Sequence, residues 1–285
     1  MPIVPLNEML KDALDKRYGM GAFNIVNDLT LKAVLQAAEE QHSPLIIQTS
    51  IKTVKMMGVD SLYAVWFEMA RKSSVPVCLH LDHCPDRALI SACLAKGWNS
   101  VLFDASSMSL DENRRQTKEV VAEARRYGAA VEGEIDSIKT VDEAQAIAVS
   151  HHQSLEVSLD FIRETGINCF APAIGNAHGV YKETPTLDVQ LVSDIVDTHP
   201  IPIALHGGTG LTDEQFKDLI SRGCAKVNIS TAVKMVYMQS NLAFLRQAEA
   251  SDKWDPLALF KHVENDVKDM AARYMQVFGS AGRAL

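Results

Sequence analysis

Eight short apolar runs alternate with amphipathic stretches of helical period, and no Gly-x-Gly-x-x-Gly fingerprint follows the first run. These observations predict an α/β fold, a (β/α)8 TIM barrel, with residues 1–285 forming one domain. The runs are GAFNI (21–25), PLIIQTS (44–50), VPVCLHLDH (75–83), SVLFDAS (100–106), AAVEGEI (129–135), INCFAPAI (167–174), PIALHGG (202–208) and KVNIST (226–231). They are nearly continuous in apolar residues, as strands covered on both faces are, which argues for a parallel sheet. Between them, stretches such as LTLKAVLQAAEEQ, SLYAVWFEMARKS, RALISACLAKG and DENRRQTKEVVAEARRYG repeat apolar residues at spacings of three and four, the pattern of returning helices. The competing open, doubly wound sheet loses its dinucleotide-binding form with the missing glycine fingerprint. From about residue 233 the pattern is helical and longer than one barrel helix needs, so extended C-terminal helices are expected to cover the barrel or meet another subunit.

With 47% hydrophobic and 22% charged residues over 285 positions, the chain can bury a large core. A formal net charge of -8 argues against a nucleic-acid surface and leaves any anion binding to a local pocket. The N-terminus MPIVPLNEML lacks a basic stretch followed by an apolar run, and no segment approaches the roughly 18 uninterrupted apolar residues of a membrane helix. The expectation is a soluble, cytoplasmic protein with no membrane partner. Five cysteines, odd in number and without a CxxC pair, suit a reducing compartment better than a disulfide framework.

The informative residues are the polar ones that interrupt apolar runs. Asn24 ends the first run; His80, Asp82 and His83 end the third; Asp104 ends the fourth; Glu132 and Glu134 end the fifth. His178 follows the sixth within AIGNAHG, His206 ends the seventh within ALHGGTG, and Asn228 lies in the eighth. A barrel gathers the C-terminal ends of all its strands into one mouth, so these positions are expected to converge there. Three histidines beside carboxylates suit a catalytic zinc, which takes three protein ligands and keeps one position open. His83, His178 and His206 are the natural trio. Gly179, Gly207, Gly208 and Gly210, followed by NIST at 228–231, cluster backbone amides and hydroxyls after the last three runs. Barrel phosphate sites commonly form there, and Lys182 can add a counter-charge. GGTG also reads as a tight turn before a helix capped by Thr212, and both readings can hold at once.

Taken together, GAFNI, HLDH, SVLFDAS, VEGEI, AIGNAHGVYK, ALHGGTG, KVNIST and the terminal FGSAGRA resemble the class II, metal-dependent ketose-bisphosphate aldolases, in order and over nearly the whole chain. The resemblance implies Zn2+ on His83, His178 and His206, with Asp82 as the acid/base for the C4 hydroxyl proton. Asp104 and Glu134 match acids that orient the site or hold a second divalent or monovalent cation. Gly179, Lys182, Gly207, Thr209, Asn228, Ser230 and Thr231 match positions that bind the ketose phosphate and neighbouring hydroxyls, and Asn24 matches a residue near the reacting carbons. The implied partners are a phosphorylated ketose, dihydroxyacetone phosphate and an aldehyde, and the implied assembly is a homodimer or homotetramer. The implied reaction is reversible aldol cleavage, in which C3 must also exchange a proton.

In the family a glutamate on a glycine-rich loop after the fifth strand does this. Here that position falls at Asp142, with Glu143 beside it, and the loop DSIKTVDEAQ lacks the glycines. Ser230 and Ala232 stand where acidic or amide residues are common, and Cys84 replaces a glycine common after HLDH. These departures bear on the substrate more than on the reaction type. Two other readings of the same barrel are a metal-dependent hydrolase and a non-catalytic sugar-phosphate-binding subunit. A Schiff-base aldolase would need a lysine inside a strand core. The runs offer none, Lys226 reading as the entrance of the eighth.

Overall fold

The computed structural model describes residues 2–138, 140–141, 153–181 and 183–284. Strands β1 (Met20–Ile25), β2 (Leu45–Ser50), β3 (Val77–Cys84), β4 (Ser100–Phe103), β5 (Ala130–Glu134), β6 (Cys169–Ala171), β7 (Ile203–Leu205) and β8 (Cys224–Ile229) pair in sequence order, and β8 returns to β1. Every pairing is parallel, so the sheet closes into the expected barrel. Among the described residues α1 (Leu6–Lys16) precedes β1. The returning helices are α2 (Asp28–Glu40), α3 (Ile51–Met57), α4 (Val59–Ala70), α5 (Arg87–Lys96), α6 (Leu110–Arg126), α7 (Leu155–Thr165), α8 (Val189–Thr198) and α9 (Asp213–Arg222). After β8 come α10 (Thr231–Ser251) and α11 (Pro256–Val277).

The helices start where the sequence supplies a cap. Asn27 and Thr30 form a reciprocal capping box on α2, Thr212 and Gln215 one on α9, and Ser109, Ser154 and Asp188 each accept a backbone N–H at the start of α6, α7 and α8. The Thr212 cap that the turn reading of GGTG expects is present. At the other end of α9, Gly223 takes a φ of 126°, open to glycine, and the chain enters β8 at once. The eighth strand thus begins two residues before the apolar run suggests. This corrects the reading of Lys226: it is the third residue of β8 and fully buried inside the barrel, because the short apolar pair Cys224–Ala225 ahead of it already belongs to the strand.

The C-terminal helices cover the barrel's outside. Helix α11 packs against α2, where Lys32 pairs with Glu264 at 2.8 Å and Lys268 with Glu40 at 2.9 Å. The chain end crosses back to the same region, with Gly282 N–H donating to Gln41 and Ala284 N–H to His42, each at 2.8 Å. All five cysteines are free and buried. No helix among the described residues is long and apolar enough to cross a membrane.

Trp98, next to the αβ turn after α5, is 1% exposed and donates its indole N–H to Thr49 Oγ1 at 3.1 Å, joining that turn to β2. Trp98→Ala is expected to cost about 3–5 kcal/mol, read as a lowered urea midpoint. A loss below about 1 kcal/mol would show that the indole does not support the barrel wall.

Candidate metal and active site

Successive side chains of a strand point to opposite faces, so residues two apart point the same way. Strands β3, β5 and β8 carry polar residues at that spacing that bear on the site: His80 and Asp82, Glu132 and Glu134, Lys226 and Asn228. The glycine between the two acids of β5 shows which way they face. A Cβ on Gly133 would meet Ile167 and Phe161, on the outer side against α7, so Glu132 and Glu134 look into the barrel. The result is two polar layers. His80, Glu132 and Lys226 form the lower one and are wholly buried; Asp82, Glu134 and Asn228 form the upper one and line a cavity of about 450 Å³ at the C-terminal mouth.

By the same alternation His83 should point out of the barrel. Instead its φ is 45°, in the left-handed region that non-glycine residues seldom enter, and the β3–β4 register shifts between Leu81 and Cys84. This irregularity brings the ring to the rim. His83 Nδ1 lies 3.0 Å from Asp104 Oδ2, and His83 Nε2 lies 2.9 Å from His206 Nδ1. His206, the first residue after β7, has its Nε2 2.7 Å from Glu132 Oε1. The His178 ring stands 5.1 Å from that of His83 and 5.9 Å from that of His206, centre to centre.

The donor set fits a cation. The nitrogens of His83, His178 and His206 lie within 4.8 Å of one another, and His83, Asp104 and Glu134 form a second such group. His83 and His206 each engage a carboxylate with one ring nitrogen and turn the other toward the cluster, the arrangement that metal-ligating histidines show. The two inward nitrogens face each other at 2.9 Å, a hydrogen-bond distance that one proton fills. Glu134 Oε2 is buried with no hydrogen-bond partner among the described residues.

The charges are mutually adjusted. Burial alone would raise the Asp82 pKa, but His83, Lys226 and His206 hold it well below the usual carboxylate range, so Asp82 is ionised. Its Oδ2 accepts from Asn24 Nδ2 at 2.8 Å, Asn24 Oδ1 accepts from Gln48 at 2.8 Å, and Asp82 Oδ1 is buried without a partner among the described residues. Burial pushes Glu134 up to about 8, against the pull of His83. His83 is raised to about 10, because the negative charges of Asp82 and Asp104 outweigh its own burial. Burial lowers His178 and His80 to about 3, with neighbouring positive groups adding to it.

After β6, β7 and β8 the rim turns to backbone and hydroxyl donors. Gly179, Gly207, Gly208, Thr209, Ser230 and Thr231 line the cavity, and Ala232 N–H donates to Thr209 Oγ1, tying the last two loops together. Gly207 has a φ of 65°, and a Cβ there would stand 2.2 Å from the Ala177 carbonyl oxygen, so no larger residue fits. Ser230 precedes the 21-residue helix α10 without a side-chain cap, and of the first-turn amides that of Ala232 is taken by Thr209 Oγ1.

The cavity therefore brings together Asn24, Asp82, His83, Asp104, Glu134, His178, Gly179, Gly207, Thr209, Asn228, Ser230 and Thr231. Asp142, Glu143 and Lys182 lie outside the described residues. Sequence reasoning missed Ser50, Ile51 and Lys52 at the end of β2, Ser137 and Ile138 beyond β5, and Lys234 one turn into α10. Ser50 and Lys52 carried a signal, being polar residues at the end of an apolar run; Lys234 is hidden inside a helical pattern. Lys226 sits in a strand core after all, but it is paired with Glu132 at 2.8 Å and is no free amine for Schiff-base chemistry.

A rim of this kind belongs to barrel enzymes that work around a bound cation. The particular family is that of the class II fructose-bisphosphate aldolases, whose model, described as "Fructose-bisphosphate aldolase class-II", matches residues 4–283; the chain belongs to this family and is an aldolase. It is 34% identical to a fructose-bisphosphate aldolase of Geobacillus stearothermophilus, over 100% of this chain and 99% of the relative. It is 32% identical to a 6-phospho-5-dehydro-2-deoxy-D-gluconate aldolase of Bacillus licheniformis, over 100% of this chain and 98% of the relative. Among solved structures, the YdjI aldolase of Escherichia coli K12 superposes with a TM-score of 0.87 at 31% identity, covering 99% of this chain and 100% of the other.

Because His80 and His178 titrate near 3 when folded and near 6.5 when unfolded, the unfolded chain binds their protons more tightly. The stability they contribute is complete above pH 6.5 and is lost as the pH falls toward 3. Chelator-treated protein should lose melting temperature across that window, and His178→Gln should flatten the loss. An unaltered slope would show that His178 is not held neutral.

Proposed function

We propose that this aldolase reversibly cleaves a phosphorylated ketose, of the fructose- or tagatose-1,6-bisphosphate kind, between C3 and C4, giving dihydroxyacetone phosphate and an aldehyde, with Zn2+ as cofactor. The observation that carries the reading is the trio of imidazole nitrogens within 4.8 Å of one another on the rim that also holds ionised Asp82. His83, His178 and His206 would hold the ion, with Asp104 and Glu134 orienting His83 or holding a second cation. A divalent cation there supplies positive charge beside the ketose C2 carbonyl, lowering the cost of the negative charge that develops on the triose half as the bond breaks.

The chain's own residues do the rest. Asp82 has one oxygen fixed by Asn24 and the other without a partner among the described residues, so it can take the C4 hydroxyl proton as the aldehyde forms and return it in the reverse direction. The Gln48–Asn24–Asp82 chain holds that second oxygen in place. The amides of Gly179 and Gly207, the hydroxyls of Thr209, Ser230 and Thr231, and the amide of Asn228 suit the phosphate and hydroxyls of the triose half, with Lys182 assigned there from the family resemblance. The exchange of the C3 proton is assigned on the same ground to Asp142 or Glu143. A cytoplasmic homodimer or homotetramer is the assembly the family suggests.

Retro-aldol cleavage of a panel of phosphorylated ketoses by the zinc-loaded protein is expected to release dihydroxyacetone phosphate from one of them and to stop with a chelator. No release from any ketose, with zinc bound, would overturn the proposed substrate class. Asp82→Asn should keep its zinc and lose roughly 10²–10⁴ in kcat, whereas His206→Ala should lose both zinc and turnover. Parent-like turnover in the Asp82 variant would remove Asp82 from the proton path.

A further inference from the structure

Lys226 is a lysine with no exposed surface, deep in a barrel whose chemistry lies one layer above it. Its Nζ lies 2.8 Å from Glu132 Oε2 and donates to Asn228 Oδ1 at 2.7 Å. Glu132, equally buried, uses its other oxygen on His206 Nε2 at 2.7 Å. One ammonium thus stands between a side chain that lines the substrate cavity and a carboxylate that touches a histidine of the metal cluster.

Each junction has a direction. An ammonium only donates, so the Asn228 atom facing it must be the amide oxygen, which leaves the Asn228 NH2 for the cavity side. A carboxylate held against an ammonium accepts from the imidazole N–H, which places the proton of His206 on Nε2 and leaves the lone pair of Nδ1 toward His83. Burying an ion pair is rarely a net gain in stability over an apolar replacement of the same volume. Stability therefore gives no reason for this pair, whereas its contacts give one.

We propose that Lys226 is a positioning residue that couples the substrate-facing amide of Asn228 to the orientation of the metal ligand His206, acting on the latter through Glu132. The inference rests on the metal-site reading above and adds to it a physical link between the two halves of the site. It requires that losing Lys226 damage both metal affinity and triose-phosphate affinity, while its two neighbours each govern one.

The test uses the full-length protein, Zn2+ affinity by competition with a chelator, and dihydroxyacetone phosphate affinity of the zinc-loaded form. Glu132→Gln should weaken zinc about 10- to 100-fold and leave triose-phosphate affinity near the parent value. Asn228→Ala should do the reverse. Lys226→Met should weaken both. The double variant Glu132→Gln/Lys226→Met carries no uncompensated buried charge and serves if Lys226→Met does not fold. Its zinc affinity should be no worse than that of Glu132→Gln alone, since Lys226 reaches the metal only through Glu132, while its triose-phosphate affinity falls. Parent-like values of both affinities in Lys226→Met, with only a lowered melting temperature, would overturn the coupling. So would a double variant whose triose-phosphate affinity matches that of Glu132→Gln. A parent protein that binds no zinc would instead defeat the metal-site reading itself.

Discussion

The pairing of β1 with β8 is the constraint on which the rest depends. An open parallel sheet of eight strands would present two unpaired edges and a twisted surface. Closure removes both edges and aligns Ala22 with Asn228 and Phe23 with Ile229, at opposite ends of the chain. It also fixes every strand's polarity, so that all eight C-terminal ends open on the same mouth. His83 and His206, 123 positions apart, meet at 2.9 Å for that reason and no local one. The glycine-rich turns after β6, β7 and β8 are adjacent for the same reason.

Closure also divides the strand residues into two populations with different duties. The outward set packs under the helices, and Gly133 against Ile167 and Phe161 shows how tightly. That layer, together with the α2–α11 contact, supplies the apolar burial that stabilises the fold. The inward set is free to be polar only because its members satisfy one another. His80 engages Ser100 at 2.7 Å, Lys226 engages Glu132 and Asn228, and Glu132 engages His206. A single unpaired charge in that layer would cost several kcal/mol, so the inner residues form one network rather than several independent pairs. Atoms without a hydrogen-bond partner among the described residues occur in both layers. In the lower, His80 Nε2 and Glu132 Oε2 have only ionic neighbours, each other at 3.7 Å and, for the carboxylate, Lys226 at 2.8 Å. In the upper, Asp82 Oδ1 and Glu134 Oε2 stand where the barrel opens on the cavity. Unmet hydrogen-bonding capacity is tolerated where a ligand can meet it.

Much of this was legible before the fold was known. The eight runs fall on the eight strands, since near-continuous apolar stretches of this length can be buried on both faces only in a parallel sheet. The rim positions were legible too, because polar residues at the ends of such runs have nowhere else to go. Three things were not. The pairs His80/Asp82, Glu132/Glu134 and Lys226/Asn228 stand in the sequence at a spacing of two, but which face is the interior is settled only by closure. The place of Lys226 was misread because a charged side chain normally ends an apolar run, and only a buried counter-charge on another strand allows it inside. His83 escapes alternation altogether, since its φ of 45° comes from a register shift between β3 and β4 that no single strand encodes.

The same geometry explains how one barrel can serve relatives named for different substrates. The metal cluster draws on β3, β4, β5, β6 and β7, and the amide-and-hydroxyl arc on the loops after β6, β7 and β8. On the proposed function these groups would hold the triose half of the ketose, and they are braced from below by the inner ionic layer, so they are costly to vary. Ser50 ends β2 and Ile51 and Lys52 follow it, across the ring from β6, and among the described residues none of the three makes a hydrogen bond or ion pair to the cluster or to that layer. Side chains there can change without disturbing a buried charge. On the proposed function, discrimination between aldehydes would fall where substitution is cheap, and in this chain that place presents a hydroxyl, an apolar side chain and an ammonium. On that reading fold and metal site would set the reaction, while a short turn after one strand would set its scope.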